Sequence, residues 1–334
     1  MGVASGVEAS LAGRAGIPFQ AIASGQLRGV APWVAARNAV RVAQGARQAG
    51  RVLAGFRPDA VFVTGGFVAG PVVWAAWRAG VPVLIYLPDM EPGLAIRRLS
   101  RFARKVAVSF PEVAAYFPDK AVVTGYPVRQ EILLAGADKA NARRQLGLDD
   151  DEPVLLVFGG SHGARSINQA LSAALPDLLP RCQVVHVTGT LDWPEAQKRV
   201  QHLPEALAGR YHPYAYLHEE MAPALAAADL AVTRAGASTL GEFPALGLPS
   251  ILVPYPYSGQ HQEVNADFMV GQGAAIKLAD GDLTSRLLPT VLGLLDDRSV
   301  LAAMQAAASG LARPRAAQAI AEEIRQLART ANGS

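Results

Sequence analysis

The stretch Val154-Leu155-Leu156-Val157-Phe158-Gly159-Gly160-Ser161-His162-Gly163-Ala164-Arg165-Ser166-Ile167-Asn168 passes from five apolar residues through a glycine turn into a helix-forming segment. An uninterrupted apolar run fits a strand covered on both faces, as strands of a parallel sheet are. Glycine lets the backbone turn sharply and approach a ligand, and the free N–H groups of a helix start attract anions. The same succession of apolar run, small-residue turn and helical stretch recurs along the chain, which is the βα signature of parallel sheets.

Working outward, strands are expected at 60–64, 81–87, 106–109 and 121–124, with a long helix at 32–55. Further strands are expected at 154–158, 183–188, 231–233, 251–254 and 275–278, and an amphipathic helix at 316–327. Between the halves, Asp149-Asp150-Asp151-Glu152-Pro153 reads as a linker. The expected division is a first domain at 1–130, a linker at 131–152, a second domain at 153–312, and a helix at 313–334 packing back on the first domain. The fold class is α/β: two Rossmann-like, doubly wound parallel sheets facing a cleft, where the carboxyl ends of strands bind ligands.

The 334 residues, 51% hydrophobic and 18% charged, suffice for two buried cores and exclude a disordered chain. One cysteine, Cys182, excludes a disulfide framework and a cysteine metal cluster. A formal charge of +3 gives no reason to expect a nucleic-acid partner. Two uncharged runs, 60–77 and 243–262, approach the ~20 residues of a membrane span. Glycines and prolines break both, so each reads as strand, turn and helix, and the first residues show no secretory leader.

Three readings of the 159–163 turn compete. A dinucleotide site lacks both the G-x-G-x-x-G spacing and an acid at the end of the next strand. A hydrolase elbow is matched literally by Gly159-Gly160-Ser161-His162-Gly163, with Asp229 and His261 following in triad order. A diphosphate cradle gains support from a second turn, Thr233-Arg234-Ala235-Gly236-Ala237-Ser238-Thr239-Leu240-Gly241-Glu242, again after an apolar run. The bland alternative there is capping, with Ser238 or Thr239 as the cap and Glu242 completing a capping box. Gln260-His261-Gln262-Glu263 follows a further apolar run, and Arg129 stands near the hinge.

Seven segments together resemble glycosyltransferase family 28, the MurG-type enzymes: GVEASLAGRAGIPF (6–19), GGFVAGP (65–71), VAVSFPE (106–112), VTGYPVR (123–129), GGSHGARSIN (159–168), TRAGASTLGEF (233–243) and HQEVNA (261–266). The resemblance implies a GT-B fold and inverting transfer of N-acetylglucosamine from UDP-N-acetylglucosamine to the undecaprenyl-linked muramoyl-pentapeptide. That is the lipid I to lipid II step of peptidoglycan synthesis, on the cytoplasmic face of the plasma membrane. It implies no cofactor and no metal, UDP-N-acetylglucosamine being a substrate. Residue by residue, Ser161 and Gly236, Ala237, Ser238 and Thr239 would contact the donor diphosphate. Glu242 would hold the ribose and the His218 backbone the uracil, while Arg129, His261 and Gln262 would complete the pocket.

Asp89 stands where the family has a sugar-binding asparagine, and is a possible sugar or acceptor contact. The family's first strand and its histidine-bearing glycine loop are expected upstream of Met1, so no catalytic residue is assigned. The alternative is a UDP-sugar-binding relative with another acceptor or little activity. Without the name, Asp149-Asp150-Asp151 and Asp280-Gly281-Asp282 match a metal-binding Asp-x-Asp, but read as linker and turn. Between Glu91 and Glu112, Arg97, Arg98, Arg101, Arg104 and Lys105 occur with no acid and alternate with Leu94, Leu99 and Phe102. Arg97, Arg98, Arg101 and Phe102 are therefore expected to face an anionic membrane surface, against the alternative of a solvated helix face.

Overall fold

The computed structural model describes residues 1–4, 6–26, 29–160, 164–257 and 261–332. The chain divides into two compact units, Met1–Gly125 with Arg315–Ser334, and Tyr126–Pro314.

The first unit holds four parallel strands in sequence order: β1 (Val61–Val63), β2 (Val83–Leu87), β3 (Lys105–Val108) and β4 (Ala121–Val123). All five residues of β2 are buried, as its continuous apolar run requires. Among the described residues β1 pairs with β2 alone, and Gly2 and Ala21 form a separate parallel bridge. Helix α1 (Pro32–Phe56), opened by its proline, packs on α2 (Ala69–Arg78). Gly45 of α1 permits close approach of the chain, because a Cβ there would stand 1.9 Å from the Ala23 carbonyl oxygen. A short helix α3 (Leu94–Leu99) follows β2. The C-terminal helix, Ala316–Asn332, returns to this unit: Ile320 and Leu327 cluster with Leu84, Tyr86 and Ala107. Glu323 accepts from Lys105 at 2.6 Å, which removes that lysine from the expected basic face.

The second unit begins earlier than the expected domain start. Residues 131–152 are not an open linker: α4 (Gln130–Gly136) and α5 (Lys139–Gln145) pack on α7 (Met221–Ala227). Six parallel strands follow: β5 (Val154–Phe158), β6 (Gln183–Val187), β7 (Tyr211–Tyr214), β8 (Leu230–Thr233), β9 (Ser250–Leu252) and β10 (Ala275–Lys277). Their spatial order is β10-β9-β8-β5-β6-β7. The chain therefore runs outward from β5 to β7, then returns to the other side of β5 and runs outward again. That reversal makes the crevice at the carboxyl ends of β5 and β8 a topological switch point. Val154 to Val157 are 0% exposed, and Leu155 and Val157 share one core with Ile167, Leu171, Leu175 and Leu178, which recur at helical spacing along α6 (Arg165–Leu178). β7 was not anticipated: its sequence YHPY is neither apolar nor alternating. Its proline is tolerated because β7 is an edge strand.

Candidate functional site

At the switch point two strand–turn–helix units meet. After β5, Gly160 adopts φ +84°, a left-handed conformation that favours glycine. Ala164 then leads into α6. Ser161, His162 and Gly163, the heart of the elbow and cradle readings, lie outside the described residues. After β8 the chain passes through Arg234 to Gly236 and into α8 (Thr239–Leu246). Thr239 Oγ1 donates to the Gly236 carbonyl at 2.7 Å, closing the turn. The capping box, the bland alternative for this turn, does not form: the Ser238 side chain makes no cap bond, and Glu242 is drawn to Arg129 at 3.6 Å.

Between these turns lies a cavity of about 890 Å³, toward the upper end of the range for small-molecule sites. Gly159 and Gly160 line it from one turn and Gly236, Ser238 and Thr239 from the other. Gln262, from α9 (His261–Gly271), also lines it; its Oε1 accepts from the backbone N–H of Tyr255 at 2.9 Å. His261 opens α9, and its buried Nδ1 has no hydrogen-bond partner among the described residues. Asn265, fully buried, donates to the Ala235 carbonyl at 3.2 Å and ties α9 to the β8 turn.

The other expected residues stand apart from the cavity wall. Glu242 and Arg129 pair with each other; burial raises the Glu242 carboxyl, and the Arg129 guanidinium opposes that rise. His218, past β7, is exposed, donates its backbone N–H to Glu220 Oε2 at 3.3 Å and packs its ring against Tyr216. Asp89 lies in the first unit, half-buried just beyond β2. Asp229, the acid of the hydrolase reading, is misplaced for a triad: it accepts from the Val154 N–H at 2.7 Å, at the end of β5 opposite the glycine turn. Of the basic run, Arg97 is held by Glu91 at 3.2 Å and lies over the Tyr116 ring, and Phe102 packs on Trp77. Arg98 and Arg101 are exposed, and Arg98 shares a cavity of about 410 Å³ with Phe67 and Leu94.

Two features escaped the sequence. Arg234, its side chain 10% exposed, donates to Asp280 Oδ1 at 2.5 Å and to Ser166 Oγ at 2.9 Å, and lies over the Tyr255 ring. Behind α6, His186 Nε2 meets Asn168 Oδ1 at 3.0 Å and His186 Nδ1 meets the Tyr211 hydroxyl at 2.9 Å. The Asn168 amide donates to Thr188 O and to Asp192 Oδ2, both at 2.8 Å, so its Oδ1 is the acceptor left for the imidazole. His186 is thus the neutral Nε2–H tautomer, and burial pushes its pKa down to about 3. Arg165 also pairs with Asp192 at 3.2 Å.

Two family models match the chain: the glycosyltransferase family 28 N-terminal domain over residues 1–108 and the family 28 C-terminal domain over residues 154–321. Among curated relatives, the UDP-N-acetylglucosamine--N-acetylmuramyl-(pentapeptide) pyrophosphoryl-undecaprenol N-acetylglucosamine transferase of Roseiflexus sp. (strain RS-1) is 42% identical, covering 96% of this chain and 81% of its own. The protein of the same description from Desulforudis audaxviator (strain MP104C) is 42% identical over 98% of this chain and 89% of its own. The crystal structure of Acinetobacter baumannii MurG superposes with a TM-score of 0.74 at 29% identity, covering 97% of this chain and 89% of that one. A Neisseria meningitidis UDP-GlcNAc 2-epimerase, bound to UDP-GlcNAc, shares the fold at a TM-score of 0.65 and 15% identity, covering 96% and 88% of the two chains. With both units matched and relatives above 40% identity along nearly its whole length, the chain belongs to glycosyltransferase family 28 and has the GT-B fold.

Proposed function

We propose that this chain transfers N-acetylglucosamine from UDP-N-acetylglucosamine to undecaprenyl-diphospho-muramoyl-pentapeptide. The carrying observation is the convergence of two strand–turn–helix units on one cavity at the switch point of the second unit. In transfer, the acceptor hydroxyl attacks the anomeric carbon from the face opposite the diphosphate. The bond from that carbon to the diphosphate oxygen breaks, UDP leaves with the electron pair, and the acceptor proton passes to a general base. Charge developing on UDP is met by the N–H groups of the α6 and α8 starts, with Ser161 and Gly236 to Thr239 at the diphosphate. Such fixed dipoles stabilise the leaving group with no metal required. Gln262 and His261 are assigned to the sugar, the His218 backbone to the base, and Glu242 to the ribose hydroxyls as their acceptor. For that role Glu242 must be ionised, and Arg129 favours the ionised form against burial. Asp89 is assigned to the sugar or acceptor side.

Calorimetry tests the donor site. UDP binds with micromolar affinity, about −8 kcal/mol, and EDTA leaves the isotherm unchanged. Glu242→Ala weakens UDP about tenfold or more, as loss of hydrogen bonds to a charged acceptor does. A flat titration, or binding abolished by EDTA, rejects the site. Product analysis with lipid-linked muramoyl-pentapeptide then tests the acceptor.

A lipid-borne acceptor supports a reading in which the enzyme works at a membrane surface, and the face assigned to it here is the cytoplasmic one. Among the described residues no helix is long and apolar enough to cross a bilayer. The surface proposed to rest on anionic lipid combines Arg98 and Arg101 with exposed Leu94, Phe67 and Trp77. Each basic residue near such a surface contributes about 1 kcal/mol, so Arg98→Ser with Arg101→Ser lowers partitioning by about thirtyfold. Sedimentation with phosphatidylglycerol vesicles at low salt measures this; equal pelleting with neutral vesicles counts against the surface.

A further inference from the structure

We infer that Ser166 is a positioning residue of the donor cavity, acting through Arg234 and Asp280; the inference rests on the UDP-sugar reading above. Three side chains close a directed ring. Arg234 Nη2 donates to Ser166 Oγ at 2.9 Å, Ser166 Oγ donates to Asp280 Oδ1 at 2.7 Å, and Arg234 Nη1 donates to the same oxygen at 2.5 Å. A serine hydroxyl has one proton, and here Asp280 takes it. Ser166 therefore has no proton to give a phosphate oxygen, although it lines the cavity. Its role is to hold.

What it holds is the start of α6, of which it is the second residue. Arg234 follows β8 directly, and its Nη1 also reaches the carbonyls of Val253 and Pro254 beyond β9, each at 3.3 Å. Asp280 begins a 3-10 turn beyond β10. Segments following four strands thus meet at one nearly buried guanidinium, whose charge needs these acceptors. Through the ring, the first turn of α6 is set at a fixed distance from the turn after β8. Those are the two elements assigned to the diphosphate, and their spacing decides whether both sets of N–H groups reach it at once. The base and ribose contacts do not pass through the ring.

The test is a calorimetric cycle with UDP and uridine as separate probes. Ser166→Ala removes the ring's hydroxyl without changing charge and weakens UDP about tenfold, the size expected of residues coupled in one hydrogen-bond network, while uridine changes less than about twofold. Ser166→Thr, which keeps the hydroxyl, restores most of the UDP affinity. In an Asp280→Ala background, Ser166→Ala has no further effect, whereas a direct phosphate contact would cost the same factor in either background. Circular dichroism melts establish that each variant is folded at the titration temperature. Unchanged UDP affinity in folded Ser166→Ala, equal losses for UDP and uridine, or additive effects with Asp280→Ala each overturn the assignment. Failure of the unsubstituted chain to bind UDP overturns the donor reading, and the inference with it.

Discussion

Asp229→Ala lowers the stability of the second unit by about 3–5 kcal/mol, the range for leaving a buried charge without its partner. The carboxylate accepts from Lys139 Nζ at 2.6 Å, Arg143 Nη2 at 2.7 Å and the Val154 N–H at 2.7 Å. Lys139 is partly exposed and rehydrates, so its share is small. Arg143 decides the magnitude: its side chain is 9% exposed, and after truncation its guanidinium keeps, among the described residues, the carbonyls of Ala227, Asp149 and Asp150. The orphaned Val154 N–H, at the head of a central strand, costs about 1–3 kcal/mol within that total. Asp229→Asn keeps an acceptor for Val154 while losing the charge, and falls between the two. Urea unfolding with the transitions of the two units resolved measures the difference. A loss below about 1 kcal/mol for Asp229→Ala would mean that water already screens the cluster.

Acidification destabilises the same unit through His186. Its pKa is about 3 in the fold and 6.5 when unfolded, because burial disfavours the imidazolium. Between these values the unfolded chain binds more protons than the folded one, so stability rises with pH across this window. The contribution is fully present above pH 6.5 and erodes as pH falls toward 3. The loss is about 2 kcal/mol at pH 5 and on the order of 5 kcal/mol when complete. Protonation at Nδ1 would also reverse the Tyr211 hydrogen bond, since that nitrogen is the acceptor of the Tyr211 hydroxyl. His186→Gln, which cannot titrate, flattens the dependence between pH 7 and 4.5. Equal slopes for the two proteins in denaturant melts would assign the acid sensitivity elsewhere.

The β5 strand and its glycine turn were legible because their signals are local: an apolar run, a left-handed glycine and a helix start are consecutive in sequence. β7 was not, because an edge strand needs neither alternation nor a complete set of N–H donors, and YHPY has neither. The stretch before β5 looks like a spacer because its acidic end is conspicuous. Its anchors, Lys139 and Arg143, find Asp229 some ninety residues later. The site divides the same way. Both turns were readable, and so was the rivalry between capping and ligand roles for Ser238, but only the geometry shows that Ser238 makes no cap bond. Arg234 could not be assigned, since Ser166 and Asp280 stand 68 and 46 residues from it and meet only through the strand order.

The helix Ala316–Asn332 packs on the first unit, with the whole second unit intervening. On the ribosome, residues 126–314 emerge as a continuous block and can fold as soon as they are clear, because everything they pack against within that unit is already made. The earlier half must wait. Until Ile320, Glu323 and Leu327 are released, the apolar faces of Leu84 and Ala107 and the ammonium of Lys105 lack their partners. Order of synthesis and order of completion are therefore inverted: the half made first is finished last. For the length of time needed to translate about two hundred residues, that face of its sheet stays uncovered.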